Sequence, residues 1–271
     1  MADTAALASE LFEAGKDGEA RVVAPSARGE NFDMDAAYGV ESAIVQMHSE
    51  RGGRTAGVKV GYANKAMWRV LKIDTLVWAH MYEHTVQFAN GGAAELALPY
   101  YRAPKIEPEI VFKLKRPVAA GADGAGALEA VEWIAPGFEI IDIPFSEPQF
   151  QPVDFVAAYG LHLALVVGAP LHVEAAMIPD LVEALAKFKV RLLKNGELVE
   201  EGGGRNSLRS PALCLAELSG AMARREGAAP LVAGDLVSSG TLTSGSPVAK
   251  GEVWSVEAEG LPVSGLSLRL E

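Results

Sequence analysis

Glu107 and Glu109 stand one residue apart in an otherwise apolar run, Ile106-Glu107-Pro108-Glu109-Ile110-Val111-Phe112. In an extended strand, residues two apart share a face, so Ile106, Pro108, Ile110 and Phe112 cover a core while both carboxylates leave from the other side. Two like charges that close repel by on the order of a few kcal/mol at an effective dielectric of about 20, so an enclosed pair needs solvent, a proton or a cation. A solvated strand face accounts for a lone Glu-x-Glu without any cation, and the choice turns on what else the chain offers. Glu139, in Gly137-Phe138-Glu139-Ile140-Ile141-Asp142, is a third charge in an apolar strand. Alone it fits a strand end or a salt bridge as well as a ligand. Three such carboxylates on strands of one sheet make a hard oxygen site suited to Mg²⁺ or Mn²⁺, with water or substrate completing the octahedron.

Lys59 lies in Gly57-Val58-Lys59-Val60-Gly61, with only glycines on its own face. That leaves room beside the amine, which near a metal could bind a carboxylate or, with a lowered pKa, carry protons. The bland alternative is a surface lysine on an edge strand. Near the C-terminus, Ser238-Ser239-Gly240-Thr241-Leu242-Thr243-Ser244-Gly245 is either an ordinary turn or a place where backbone N–H groups approach an anion. His80-Met81-Tyr82-Glu83-His84 matches the His-x-x-Glu-His pattern of inverted zinc peptidases, which requires a helix. Against it, Val77, Trp78, Tyr82, Thr85 and Val86 favour extended structure as much as helix. His162, in Leu161-His162-Leu163-Ala164-Leu165, reads as a satisfied sheet-face histidine rather than a ligand.

The 271 residues are 49% hydrophobic and 22% charged, enough for a large core in one domain or two unequal ones. The net charge of −11 and the lack of any basic cluster exclude a nucleic-acid footprint. Cys214 is the single cysteine, within apolar Ala212-Leu213-Cys214-Leu215-Ala216, and is expected to be a core thiol. No basic leader and no run of about 18 apolar residues occurs, so no membrane partner is expected and a reducing, cytoplasmic location is.

The elements that must position these residues follow from periodicity and turn chemistry. Asp33 can cap a helix whose apolar positions Ala37, Val40, Ala43, Ile44 and Met47 recur at helical spacing until Gly52-Gly53. A strand begins at Gly57. Further strands are predicted at 105–114, 137–142, 161–167, 188–193, 197–201, 235–239, 252–257 and 263–270. Asn195-Gly196 supplies the positive φ angles of a hairpin turn, and a helix from Pro211 to about Arg225 opens on its proline. The pattern is α+β, weighted towards β after a helical N-terminal region.

Taken in order, Gly57-Val58-Lys59-Val60-Gly61, Pro104-Lys105-Ile106-Glu107-Pro108-Glu109-Ile110, Glu139 in its strand, and Ser239-Gly240-Thr241 followed by Pro247-Val248 resemble the 2-keto-4-pentenoate hydratase branch of the fumarylacetoacetate hydrolase superfamily. The resemblance runs from Asp35-Ala36-Ala37-Tyr38 to Gly251-Glu252-Val253 and Gly260-Leu261. It implies a mixed β-sheet roll, with a 1–75 N-terminal region and a 76–271 catalytic domain. It implies Mg²⁺ (or Mn²⁺) on Glu107, Glu109 and Glu139, Lys59 as the active-site lysine, and Ser239-Gly240-Thr241 holding the carboxylate of a small anionic 2-keto acid. The implied activity is hydration of a substrate such as 2-hydroxypenta-2,4-dienoate in aromatic-compound breakdown, by a homo-oligomer. Superfamily alternatives are a 4-oxalocrotonate decarboxylase or an acylpyruvate C–C hydrolase. More distant are a zinc peptidase on His80 and His84 and a non-enzymatic cation-binding protein. Ala157-Ala158-Tyr159-Gly160 stands where hydratases commonly have Asp-Asn, and Ala63-Asn64 where they have Thr-Ser; Tyr159 would return one hydroxyl to the pocket.

Overall fold

The computed structural model describes residues 4–18, 20–28, 31–98, 102–147 and 149–271. Two helices open the chain, α1 (Thr4–Lys16) and α2 (Met34–Glu50). Asp33 caps α2 as its type predicts, its side chain accepting the Ala36 N–H. Gly52, at φ 80°, ends the helix in the left-handed region. There follow β1 (Thr55–Gly61), α3 (Trp68–Leu71), β2 (Val77–Tyr82), β3 (Val86–Phe88), β4 (Ala93–Leu96) and β5 (Lys105–Leu114). The middle of the chain gives α4 (Gly124–Leu128), β6 (Val131–Ile141), α5 (Pro152–Ala157), β7 (His162–Val167), β8 (Leu171–His172) and α6 (Ile178–Lys187). The last third holds β9 (Lys189–Lys194), β10 (Glu197–Gly203), α7 (Pro211–Arg224), β11 (Leu236–Ser238), β12 (Ser246–Pro247), β13 (Val253–Glu259) and β14 (Leu266–Leu270).

The fold is α+β, with curled mixed sheets. One sheet runs β2-β1-β11-β5-β6-β7-β3, with β12 also on β5 and β8 on β6; the other runs β10-β9-β13-β14-β4. β1 sits between β2 and β11, so a boundary at residue 75 does not separate two sheets. The strand of Lys59 is an inner member of the sheet that carries the glutamates, and Lys59 is no edge residue.

Cross-strand register sorts the large sheet into two faces. Ile106, Ile110, Phe112, Phe138 and Ile140 belong to the main core, together with Val58 and Val60. On the other face, the pairs Glu107↔Glu139, Glu109↔Gly137 and Val111↔Ala135 bring β5 and β6 together. Lys59↔Ser238 and Lys59↔Ala79 extend the same face across β1, β11 and β2. Further along it, Met81, Val111, Ala135, Leu165, Val167 and Leu236 pack into a separate buried cluster with Trp133. The carboxylates therefore stand at one end of a curled face whose other end is an apolar plug. Gly137 makes that closure possible, because a Cβ there would come within 2.5 Å of Val111 Cγ2.

Candidate metal centre

β5 delivers Glu107 and Glu109 to one face, and the register with β6 sets Glu139 directly opposite Glu107. One carboxylate oxygen from each of the three lies within 4.8 Å of the others. Glu109 and Glu139 are 1% and 0% exposed. Each is aimed by partners from elsewhere in the chain. Glu109 Oε2 accepts the Ser238 hydroxyl at 2.5 Å and the Gly240 N–H at 2.7 Å, which leaves Oε1 buried without a hydrogen-bond partner. Glu139 Oε1 lies 2.8 Å from His162 Nδ1, and Oε2 is 3.1 Å from Lys59 Nζ. On its other side, His162 Nε2 is 2.8 Å from Thr85 Oγ1, whose own proton goes to the Tyr82 carbonyl. Gly245 leaves the space that the Glu107 carboxylate uses, since a Cβ there would stand 2.9 Å from Oε1.

Lys59 is 2% exposed. Its Nζ donates to the Gly160 carbonyl at 3.0 Å and lies 4.6 Å from the centroid of the Phe155 ring. The room expected beside the amine is occupied. Phe155 fills the space at Gly61, where a Cβ would come within 2.3 Å of the ring. Gly160 arrives on a turn in which Tyr159, Gly160 and Leu161 all have positive φ, at 44°, 67° and 59°. A Cβ on Gly160 would meet Lys59 Cδ at 2.6 Å. Backbone strain is thus spent on bringing one carbonyl to one ammonium.

Burial pushes Glu107 up to about 7, Lys59 opposing and Glu139 reinforcing the shift. Burial likewise raises Glu109 well above the usual carboxylate range, with Glu139 adding to it. Burial acts to raise Glu139 too, but Lys59 and the hydrogen bond with His162 outweigh it and hold this carboxyl low. Lys59 is subject to burial, which acts to lower it, yet the three glutamates prevail and raise it. The shift is thus upward, opposite to the lowering that proton transfer would call for, and it favours the ammonium while the three carboxylates face it.

A cavity of about 460 Å³ opens above this cluster, lined among others by Lys59, Glu107, Asn64, Asn206, Gly240 and Thr241. Ser239 is fully buried behind it; its carbonyl accepts from Ser207 Oγ and Cys214 Sγ, which anchors the turn. Cys214 is a core thiol, as its neighbours predict. The Gly240 N–H holds Glu109 rather than facing the cavity. Ala157 and Ala158 are fully buried, and Tyr159 lines a different cavity with Phe12 and His48, so its hydroxyl does not return a polar group to this one. His80 lies on strand β2 and His84 in the single 3-10 turn that follows. The helix that a His-x-x-Glu-His site needs is absent there, and the zinc-peptidase reading falls. His162 is no ligand candidate but a satisfied histidine, as expected, with both ring nitrogens engaged. Ser238, singled out with its turn for a possible anion, instead donates to Glu109, while the parts played by Thr85, Phe155 and the Gly160 carbonyl have no local signal in the sequence.

The donor set fits a hard divalent cation. All three groups are carboxylates, Glu109 Oε1 and Glu139 Oε2 are buried without a hydrogen-bond partner, the latter facing only the Lys59 ammonium, and Mg²⁺ takes such oxygens at about 2.1 Å. In sequence, the family model described as fumarylacetoacetate (FAA) hydrolase, C-terminal, matches residues 59–265. The chain belongs to the fumarylacetoacetate hydrolase family. Among its relatives within this superfamily, a 4-oxalocrotonate decarboxylase of Pseudomonas sp. (strain CF600) is 29% identical over 83% of this chain and 81% of its own. A 2-hydroxyhexa-2,4-dienoate hydratase of Comamonas testosteroni is 26% identical over 93% and 92%. In three dimensions the chain is similar to the 4-oxalocrotonate decarboxylase from Pseudomonas putida G7, complexed with magnesium and adipate. The TM-score is 0.87, at 24% identity over 99% of this chain and 97% of that one. This fumarylacetoacetate hydrolase family member is accordingly an enzyme of the superfamily, with a candidate acidic metal site at Glu107, Glu109 and Glu139.

Proposed function

We propose that the protein is a Mg²⁺-dependent hydro-lyase that adds water to a small unsaturated 2-keto acid such as 2-hydroxypenta-2,4-dienoate. The observation that carries this reading is the convergence of three enclosed carboxylates, one with an unpaired oxygen, beside a buried ammonium at the base of an open cavity. Glu107, Glu109 and Glu139 would hold the ion. When bound, a divalent cation there supplies positive charge to the carboxylate and keto oxygens of such an acid while a proton moves at carbon. Three carboxylates leave about one negative charge against a divalent ion, so the anionic substrate needs a further cation. Lys59 provides it and, held charged, opposes the negative charge that develops on the keto oxygen. Phe155 and Leu161 line the wall beside the lysine and keep it dry. Thr241, which lines the cavity beside Gly240, is the member of the Ser239-Gly240-Thr241 turn that would meet the substrate carboxylate, since the Gly240 N–H is taken by Glu109. Hydration also needs a water placed over the remote double bond, and neutral groups on the wall able to hold it include Asn64, Asn206 and Thr241. The relatives named as hydratases and decarboxylases support the substrate class.

The test is to give purified protein with Mg²⁺ three substrates in parallel: 2-hydroxypenta-2,4-dienoate, 4-oxalocrotonate and an acylpyruvate, with products identified. Hydration of the first is expected. CO₂ from the second alone, or pyruvate from the third alone, would replace the hydratase assignment with the decarboxylase or the C–C hydrolase. Lys59→Met should lower turnover by about 10²–10³-fold. Because the substitution removes a positive neighbour, metal affinity should be kept or slightly tightened.

A further inference from the structure

The cavity above the carboxylates is provided differently at its two ends. Its floor carries Lys59 and Glu107, and its rim carries Glu200. Glu200 reaches the rim through an irregularity in its strand. β10 pairs with β9 as far as Leu198↔Leu193, and the next pair is Glu200↔Leu192, so Val199 is an extra residue in β10. A bulge of this kind re-aims the side chain that follows it. Here the Glu200 carboxylate meets the loop after β11, where Oε1 accepts the Ser244 N–H at 3.0 Å and the Ser244 hydroxyl at 3.1 Å. The next residue, Gly245, abuts the Glu107 carboxylate. Glu200 and the metal-facing Glu107 thus flank two consecutive residues of one loop, and both line the same cavity. The tail of a short-chain acid held at Lys59 and Glu107 extends into a cavity that Glu200 also lines.

Between floor and rim the wall is uncharged, with Tyr62, Asn64, Phe150, Asn206 and Thr241. Among the described residues, Lys59 is the only Lys, Arg or His on this wall, and it is already engaged by Glu139 and the Gly160 carbonyl. Lys105, two residues before Glu107, packs beside it against Gly245 and is near enough to act on its charge, but it does not line the cavity.

We infer that Glu200 is a specificity-determining residue: it makes the rim anionic, so that the cavity takes 2-keto monoacids with uncharged or hydroxyl-bearing tails and rejects 2-keto diacids of the same length. The inference rests on the keto-acid reading of the site. A second carboxylate at the rim would face Glu200 with the Ser244 donors already taken, an unpaired like charge that works against the wrong ligand. A tail hydroxyl would instead find an acceptor.

The probes are 2-oxohexanoate and 2-oxoadipate, six-carbon acids that differ in the charge at the far end, and pyruvate, which is too short to reach the rim. Calorimetry in the presence of Mg²⁺ should show 2-oxohexanoate binding about tenfold or more tighter than 2-oxoadipate, a gap that narrows as salt is raised. Glu200→Gln, which keeps the shape and the acceptor for Ser244, should bring the two within about threefold, and Glu200→Lys should reverse the order, with pyruvate affinity equal in all three proteins. Tighter or equal binding of 2-oxoadipate by the unaltered protein overturns the inference, and loss of that binding in Lys105→Met would assign the diacid to Lys105. A gap unchanged in Glu200→Gln overturns it as well. Absence of Mg²⁺-dependent pyruvate binding throughout would overturn the keto-acid reading itself, a different result from pyruvate binding without discrimination at the rim.

Discussion

Two groups of metal-ligand residue types lie on opposite faces of one sheet, and only one of them is built as a site. On the inner face, Glu107, Glu109 and Glu139 send oxygens towards a common point, and Glu109 Oε1 is left without a partner. On the outer face, His80 projects from β2 in register with Val58, opposite in sense to Lys59 and Ala79. Its Nδ1 is 2.7 Å from Glu41 Oε1, which also accepts the His80 N–H at 2.9 Å. His84 joins a stack of rings, with His48 and Tyr82 centroids 3.7 Å apart and His48 and His84 5.7 Å apart. Burial, with His84 beside it, lowers His48 to about 4, so this ring is neutral near neutral pH. Residue type is similar in promise on both faces. What differs is convergence: among the described residues only the three glutamates bring ligand atoms within 4.8 Å of one another, while on the other face His80 Nδ1 is held by Glu41 and His84 is stacked apart from it.

Removing one inner ligand should break the contrast most completely. Glu109→Gln or Glu139→Gln keeps shape but takes a charge from the ion, and each should cost more metal affinity than the roughly 10–100-fold carried by a residue that only supports a ligand. Activity should fall with it. Titration of the metal-free protein with Mg²⁺ by calorimetry checks this, and near-normal affinity in both variants would remove these residues from the site.

His162 sharpens the comparison from the other side, because here a histidine serves a carboxylate ligand instead of competing with it. It bridges Glu139 and Thr85 at 2.8 Å to each. His162→Ala should cost about 10–100-fold in Mg²⁺ affinity through loss of Glu139 orientation. His162→Gln, which can still donate to the carboxylate, should recover part of that loss. Equal affinity in all three proteins would reduce His162 to packing.

How much of this was legible depends on distance along the chain. Glu107 and Glu109 announce themselves because a two-residue period puts both on one face, and Lys59 does so between glycines. The Asn195-Gly196 hairpin is local too, and both residues adopt positive φ, 51° and 83°. β5 spans the predicted 105–114, but β6 begins at Val131, well before the predicted 137, because its outer half pairs with the far end of β5. Such long-range pairing leaves no mark in a short window. The same holds for Ser238, His162, Gly160 and Phe155, each brought to the site from a distant segment. α6 was readable in principle, with Leu181 and Leu185 both on its buried face, yet no element was assigned to it.

A smaller effect should appear in the pH dependence of the inner face. Glu107, raised from 4.5 to about 7 by burial, binds a proton more tightly in the folded chain than in the unfolded one. In the metal-free protein its contribution to stability therefore falls as pH rises from about 4.5 through 7, by up to about 3 kcal/mol. Mg²⁺ needs the carboxylate form, so its stabilising effect should grow over the same interval. Melting with and without Mg²⁺ between pH 6 and 8 should show curves that diverge by a few degrees as pH increases. A Mg²⁺-induced shift that is the same at every pH would mean that Glu107 does not titrate in this range.

The least effect on metal binding is expected on the outer face. His80→Ala and His84→Ala should each leave Mg²⁺ affinity within about twofold, since neither side chain touches the carboxylate cluster, and neither should remove a zinc site. Stability should separate the two. His84 is exposed in a one-turn segment, and its loss should be nearly silent. His80→Ala strips a buried carboxylate, Glu41, of its ring partner and leaves it the backbone N–H, a cost of about 1–3 kcal/mol. Burial acts to lower His80, but the hydrogen bond and charge of Glu41 outweigh it and raise its pKa. A histidine raised on folding contributes fully below its unfolded value and loses that contribution as pH climbs through the folded value. The destabilisation by His80→Ala, read from urea melts, should therefore be larger at pH 6 than at pH 9, while the calorimetric Mg²⁺ titration stays unchanged. A tenfold loss of Mg²⁺ or Zn²⁺ affinity in either variant would show that the outer face holds ligand atoms after all.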